Sequence, residues 1–245
     1  MGGHSGVPLQ FCNHGVILKG TTTKKILLAL LGFLLVNWAA AKTAQKDLEV
    51  QGKKLFSQKP VFTLTLPSEL NLVYSFSHEN PGENSLTRVF FLVRTKGKQV
   101  EEMLILQIAD RTGPPVGPMT VPQLKPYTEK RMFLKDRVRK GELAMDYLVQ
   151  LMAWNPDAPS VQPMVKRGVV IPSHWALQGQ FQFVYQVEHA VSIRYSRDVN
   201  SFGMKVSDVG DGWGKSSISA NEKKIYEVFQ TTFLEMIDSL HIITP

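Results

Sequence analysis

The sequence predicts an α+β domain, a mostly antiparallel sheet covered by amphipathic helices and preceded by an N-terminal signal peptide. Three observations carry that prediction. An apolar run from Ile26 to Trp38 follows a lysine pair; short apolar and alternating runs succeed one another from Phe62 to Val206; and one amphipathic helical pattern runs from Ser219 to Leu240. Dominant strands with few helices are the pattern of a layered α+β fold.

The apolar run has the three parts of a secretory leader: Lys24 and Lys25, an uncharged core from Ile26 to Val36, and Ala39-Ala40-Ala41 as a small-residue cleavage site. Residues 1–41 therefore read as a signal peptide, cut between Ala41 and Lys42. The alternative is an inner-membrane anchor through residues 26–41, although the run falls short of the roughly 20 residues that span a bilayer. The segment before Lys24 is long for a leader, and translation beginning near Val16 or Leu18 would give an ordinary length.

Cys12 is the only cysteine and lies upstream of the cut, so the mature chain would hold no disulfide, no thiolate nucleophile and no cysteine-ligated metal. An exported domain without such staples suits a bacterial periplasm or secretion from a bacterium. Losing Lys19, Lys24 and Lys25 lowers the formal charge from +7 to +4, too little to argue for a nucleic-acid partner. One basic patch remains, with Lys130, Arg131, Lys135, Arg137, Arg139 and Lys140. It reads as a solvated surface, with anionic lipid as the functional alternative.

Residues 42–59 are polar and lysine-rich and read as a flexible lead-in to a single domain over residues 60–245. Phe62, Leu64 and Leu66 alternate with Thr63 and Thr65 as a strand, and Leu72 to Phe76 gives a second. Leu86–Arg94 and Val100–Ala109 are apolar runs joined through Gly97, which predicts a hairpin covered on both faces. The prolines between Arg111 and Pro126 predict a long loop. Thr128 to Lys140 fits an edge strand or a basic helix. Glu142 to Trp154 predicts a helix, with Leu143, Ala144, Tyr147, Leu148, Leu151 and Met152 on one face. Alternation around Phe181, Phe183 and Tyr185, around Val191, Ile193 and Tyr195, and around Phe202, Met204 and Val206 predicts a three-strand meander. Ser219 and Glu222 form a capping box opening a helix with Ile225, Val228, Phe229, Thr232, Phe233, Met236, Ile237 and Leu240 on its stripe.

This order of elements, from the Phe62–Pro67 strand through the central hairpin and late meander to a final amphipathic helix, resembles the PsbP-like α/β sandwich of small exported proteins. The resemblance covers about Pro60 to Leu240. It implies a binding or accessory module and transfers no catalytic residue.

Few constellations suggest chemistry. Gly210-Asp211-Gly212-Trp213-Gly214-Lys215-Ser216 ends like a phosphate-binding loop, but Gly210 stands one residue too close to Gly214 for that loop to form. A glycine-rich turn explains it, and no cofactor is implied. His78, His174, His189 and His241 show no metal-ligand spacing, so no metal site is expected. The candidate ligand- or partner-binding residues are Trp213, Lys215, Trp175 and His174, chosen because they fall at element ends or in loops, where aromatic rings serve recognition.

The residues thus favour an exported, non-catalytic binding or accessory domain of the bacterial cell envelope. Its partner would be an envelope protein or small ligand, with transient or anchored membrane association as a further option. The alternatives are an envelope hydrolase assembled from dispersed histidines and carboxylates, or a membrane-tethered structural protein. N-terminal sequencing of the exported protein is expected to begin at Lys42; a mature chain retaining Ile26 to Trp38 would establish the anchor instead.

Overall fold

Alternating side chains place residues on opposite faces of a strand, and here that alternation builds two antiparallel sheets. The computed structural model describes residues 47–114, 117–203, 213–214 and 216–243. The leader, and with it the predicted signal peptide and anchor, lies outside the described residues. Among the described residues no helix is long and apolar enough to cross a membrane.

The smaller sheet has the order β1-β2-β3-β11, from β1 (Leu48–Gln51), β2 (Lys54–Gln58), β3 (Val61–Thr65) and β11 (His241–Ile242). The larger has seven strands in the order β4-β5-β6-β10-β9-β8-β7. These are β4 (Asn71–Asn80), β5 (Ser85–Lys96), β6 (Gln99–Arg111), β7 (Met132–Lys140), β8 (Leu143–Ala153), β9 (Trp175–Tyr185) and β10 (His189–Asp198). Every named pairing in both sheets is antiparallel. Among the described residues the α-helices are α1 (Gln162–Val165) and α2 (Ala220–Asp238).

On one face of the large sheet, the inner face, Phe90 and Leu92 of β5, Leu104, Leu106 and Ile108 of β6 and Val191, Ile193 and Tyr195 of β10 join one core. Leu48, Leu55, Phe62 and Leu64 of the small sheet and Ile225, Phe229, Phe233, Met236 and Ile237 of α2 close that core. The opposite, outer face carries Val89, Phe91, Val93 and Met103, packed with Trp154, Val161, Met164 and Ile171. The hairpin of β5 and β6 is therefore covered on both sides, as its unbroken apolar runs predict. The cover differs from the expected set of helices: it is one long helix with a second sheet on the inner face, and a one-turn helix with its loops on the outer.

Helix α2 begins at the predicted capping box, where the Ser219 side chain accepts from the Glu222 amide at 3.3 Å and the Glu222 carboxylate accepts from the Ser219 amide at 2.7 Å. Its buried stripe is narrower than predicted, with Val228 55% exposed. Phe229 stacks on Tyr195 at 5.6 Å and Phe233 meets Phe181 at 6.0 Å. The helix approaches this closely because β9 has Gly179 beneath the Phe233 ring. Lys140 donates to the carbonyls of Ile237, Asp238 and Leu240 at the other end, where carbonyls lack intrahelical partners and a cation is favoured.

Three expectations are corrected. The stretch from Glu142 to Trp154 is strand β8 rather than a helix. Leu143, Tyr147 and Leu151 recur at a spacing of four, which satisfies both periods; Met145 and Val149, off the helical stripe, are buried with them in the inner core and mark period two. The polar lead-in is not flexible over its second half, because β1 and β2 begin at Leu48 and bury Leu48 and Leu55. Phe202 belongs to a 3-10 turn over Val199–Phe202, closed by Gly203 at φ 80°, while residues 204–212 lie outside the described residues. The late meander is instead β8-β9-β10. Thr128 to Lys140 resolves into a short 3-10 turn and the edge strand β7.

A methyl at position 179 would clash with the Phe233 ring. Gly179→Ala is expected to cost about 1–3 kcal/mol through overpacking, read as a lowered urea midpoint, and Gly179→Ala/Phe233→Leu should recover part of it.

Candidate functional site

Charges buried on the inner face cluster at its two ends. At one end the Arg88 guanidinium contacts Asp47, the Lys59 carbonyl and, at 2.6 Å, Asp110; the other oxygen of Asp110 meets His189 Nδ1 at 2.7 Å. At the other end Glu102 accepts from the Ser68 hydroxyl and from Tyr195 at 2.9 Å, and pairs with Arg94 at 2.6 Å and Arg197 at 3.6 Å. Burial, reinforced by the neighbouring Glu102 charge, pushes the Tyr195 phenol well above its ordinary range. Asp47 and Ser68 flank the small sheet, so both clusters tie that sheet to the large one.

The predicted site residues are dispersed. Trp213 is wholly buried in the inner core and is no surface for a ligand. Lys215 lies outside the described residues, as do Gly210 to Gly212. Trp175 is half-buried beneath the Arg131 guanidinium at 3.8 Å, with Tyr127 edge-on at 6.1 Å. His174 Nε2 contacts Asp198 at 2.7 Å, and Asp198 also accepts from the Asn200 amide.

The basic patch is largely engaged with the protein itself. Besides Arg131 on Trp175 and Lys140 on helix α2, Lys135 donates to the Leu124 carbonyl at 3.1 Å and Arg137 pairs with Asp146 at 2.6 Å. Lys130 and Arg139 form no ion pair among the described residues. Lys135, Arg137 and Arg139 stand on the edge strand β7, where charge also discourages pairing with another chain.

The histidines do not converge. His189 opens β10 and Asp198 closes it, so the two His–Asp pairs stand about 30 Å apart along one strand. Among the described residues no group of three or more metal-ligating side chains forms.

Two features were not legible as sites in the sequence. The first is a cavity of about 890 Å³ between the β7–β8 turn, the β9–β10 turn and the end of α2. Leu143, Val184, Val187, Leu240 and Ile242 supply apolar wall, and Lys140, Glu142, Asp238 and His241 supply polar edges. Tyr185 also lines it, and its hydroxyl is buried without a hydrogen-bond partner. The adjoining turn holds Gln186 at φ 50° and Val187 at φ 56°. A β-branched residue in the left-handed region is strained by about 1–3 kcal/mol, and such strain concentrates at functional sites.

The second is a polar strip on the outer face. Registers align Ile105, Arg194, Gln180 and Leu148 in one cross-strand row and Gln107, Ser192, Gln182 and Asp146 in the next. The proline-rich loop crosses the β8 and β9 side of this face, held by Gln182 on the Pro122 carbonyl and by the Tyr127 amide on Gln150. Ile105, Gln107, Gln180, Ser192 and Arg194 stay partly exposed. The alternation around Val191, Ile193 and Tyr195 places Arg194 on the opposite face, but sequence cannot distinguish an open face from one partly roofed.

Comparison of the chain with protein-family models, with curated proteins and with solved structures found no match.

Arg88→Met would strand Asp110 and Asp47 without their cation and is expected to cost about 3–5 kcal/mol, as loss of one partner of a buried pair does. Urea denaturation measures it, and Arg88→Met/Asp110→Leu should regain part of the loss.

Proposed function

We propose that this chain is an exported, non-catalytic binding domain of the bacterial cell envelope, and that it takes a small, mainly apolar ligand in the cavity beside Tyr185. The cavity carries the reading. Its size falls within the range of small-molecule sites, and apolar walls with a few polar groups are their usual lining. Glu142, Asp238 and His241 at its edge supply the polar groups that would orient such a ligand. The strained turn at Gln186 and Val187 forms part of the wall.

Export rests on the leader pattern of residues 24–41. The absence of chemistry is argued from placement. In each His–Asp pair the aspartate already has a second partner, the Arg88 guanidinium or the Asn200 amide, and among the described residues neither histidine has a serine or threonine hydroxyl as a hydrogen-bond partner. An envelope protein docking over the same cavity is the corresponding accessory role.

The test is titration of the exported protein with a hydrophobic naphthylamine dye, read by fluorescence. Leu143→Trp fills the cavity and is expected to weaken dye binding at least about tenfold, equivalent to about 1.4 kcal/mol, with an unchanged urea midpoint. Equal binding by Leu143→Trp would remove the cavity from the proposal.

A further inference from the structure

We infer that Arg194 anchors the carboxylate of a small apolar monocarboxylic acid on the outer face of the seven-stranded sheet. This site is separate from the cavity beside Tyr185, which borders helix α2 on the inner side. Arg94 and Arg197 share Glu102, Arg88 lies between Asp47 and Asp110, and Arg137 holds Asp146. Among the described residues Arg194 instead donates only to the neutral Gln107 side chain, at 3.1 Å, and its buried Nε has no partner there. Burial lowers its pKa, and no acidic neighbour opposes the shift.

A desolvated guanidinium without a counter-ion is costly and gains from an anion that accepts its fork of donors. The surroundings narrow the class of anion. Gln180, opposite Arg194 on β9, and Ser192, two residues before it on β10, are joined to each other at 3.4 Å and adjoin Arg194 as neutral hydrogen-bonding groups. A single positive charge among neutral amides and hydroxyls matches a monoanion better than a phosphate dianion. Ile105, partly exposed, neighbours Arg194 across the strand pair and supplies the apolar contact, while beyond it Phe91 is buried beneath the outer cover, which limits the ligand to a short apolar body.

Isothermal titration of the exported protein with octanoate, octanol, octylammonium and octyl phosphate tests the assignment. Octanoate is expected to bind at least about tenfold tighter than octanol or octylammonium. Arg194→Gln should remove that preference, and Arg194→Lys should retain part of it, since an ammonium offers charge without the fork. The titrations are repeated on Leu143→Trp, in which the cavity is filled; an octanoate preference that persists there, and is lost in Leu143→Trp/Arg194→Gln, belongs to this site rather than to the cavity. Equal affinities for octanoate and octanol, unaltered octanoate binding by Arg194→Gln, or tighter binding of octyl phosphate would each overturn the proposal. Should Arg194→Gln not fold, the Arg194 Nε–Hε resonance of the wild-type protein gives the same answer: a shift with octanoate and none with octanol supports the site, and any other pattern refutes it.

Discussion

The guanidinium of Arg88 is the contact on which the two sheets depend. It lies on the inner face of β5, where every neighbouring position on the strand is apolar, and it reaches Asp47 and the Lys59 carbonyl on one side and Asp110 on the other. A charge in that position is tolerated only when every partner is in place. Its geometry therefore fixes the small sheet against the large one, and Asp110 in turn holds His189 at the start of β10. Glu102 repeats the arrangement at the opposite end with Ser68, Tyr195 and two arginines. Between these two polar anchors the hydrophobic effect fills the core without directional guidance, and the anchors supply the direction.

This view explains why the histidine and aspartate pairs, which in sequence invite a catalytic reading, serve the fold. The buried aspartates are already committed, one to an arginine and the other to the backbone at a turn. Among the described residues, buried side-chain atoms without a hydrogen-bond partner include the Tyr185 hydroxyl beside the cavity and the Arg194 Nε on the outer face, besides the Nε atoms of Arg88 and Arg94 within the anchors themselves.

Much of the fold was legible in the sequence because burial on one face enforces period two. The hairpin of β5 and β6, the pairing run through β9 and β10, and the capping box of α2 all follow from local pattern. Strand β8 was misread because its leucines and tyrosine satisfy two periods at once, and only Met145 and Val149 separate them. The β1–β2 hairpin escaped notice because strands of four and five residues leave little periodicity. Trp213 was misjudged for a related reason: a glycine-rich turn suggests exposure, whereas the chain carries this indole into the core. The two candidate sites were illegible for a more general reason, since a cavity joins the ends of elements far apart in sequence, and an arginine's missing partner is a property of three strands together.

The alternation that separates the faces also constrains how such a protein can diverge. Replacing Arg194, Gln180 or Ser192 alters the outer strip without touching Tyr195, Phe181 or Val191 beneath the helix, so the chemistry of that face can change by substitution alone. A one-residue insertion within β10 would exchange the two faces, sending arginine into the aromatic stack and tyrosine out of it. Length in these strands is therefore constrained by the fold far more tightly than identity at the outward positions, where the surface can change while the core stays as it is.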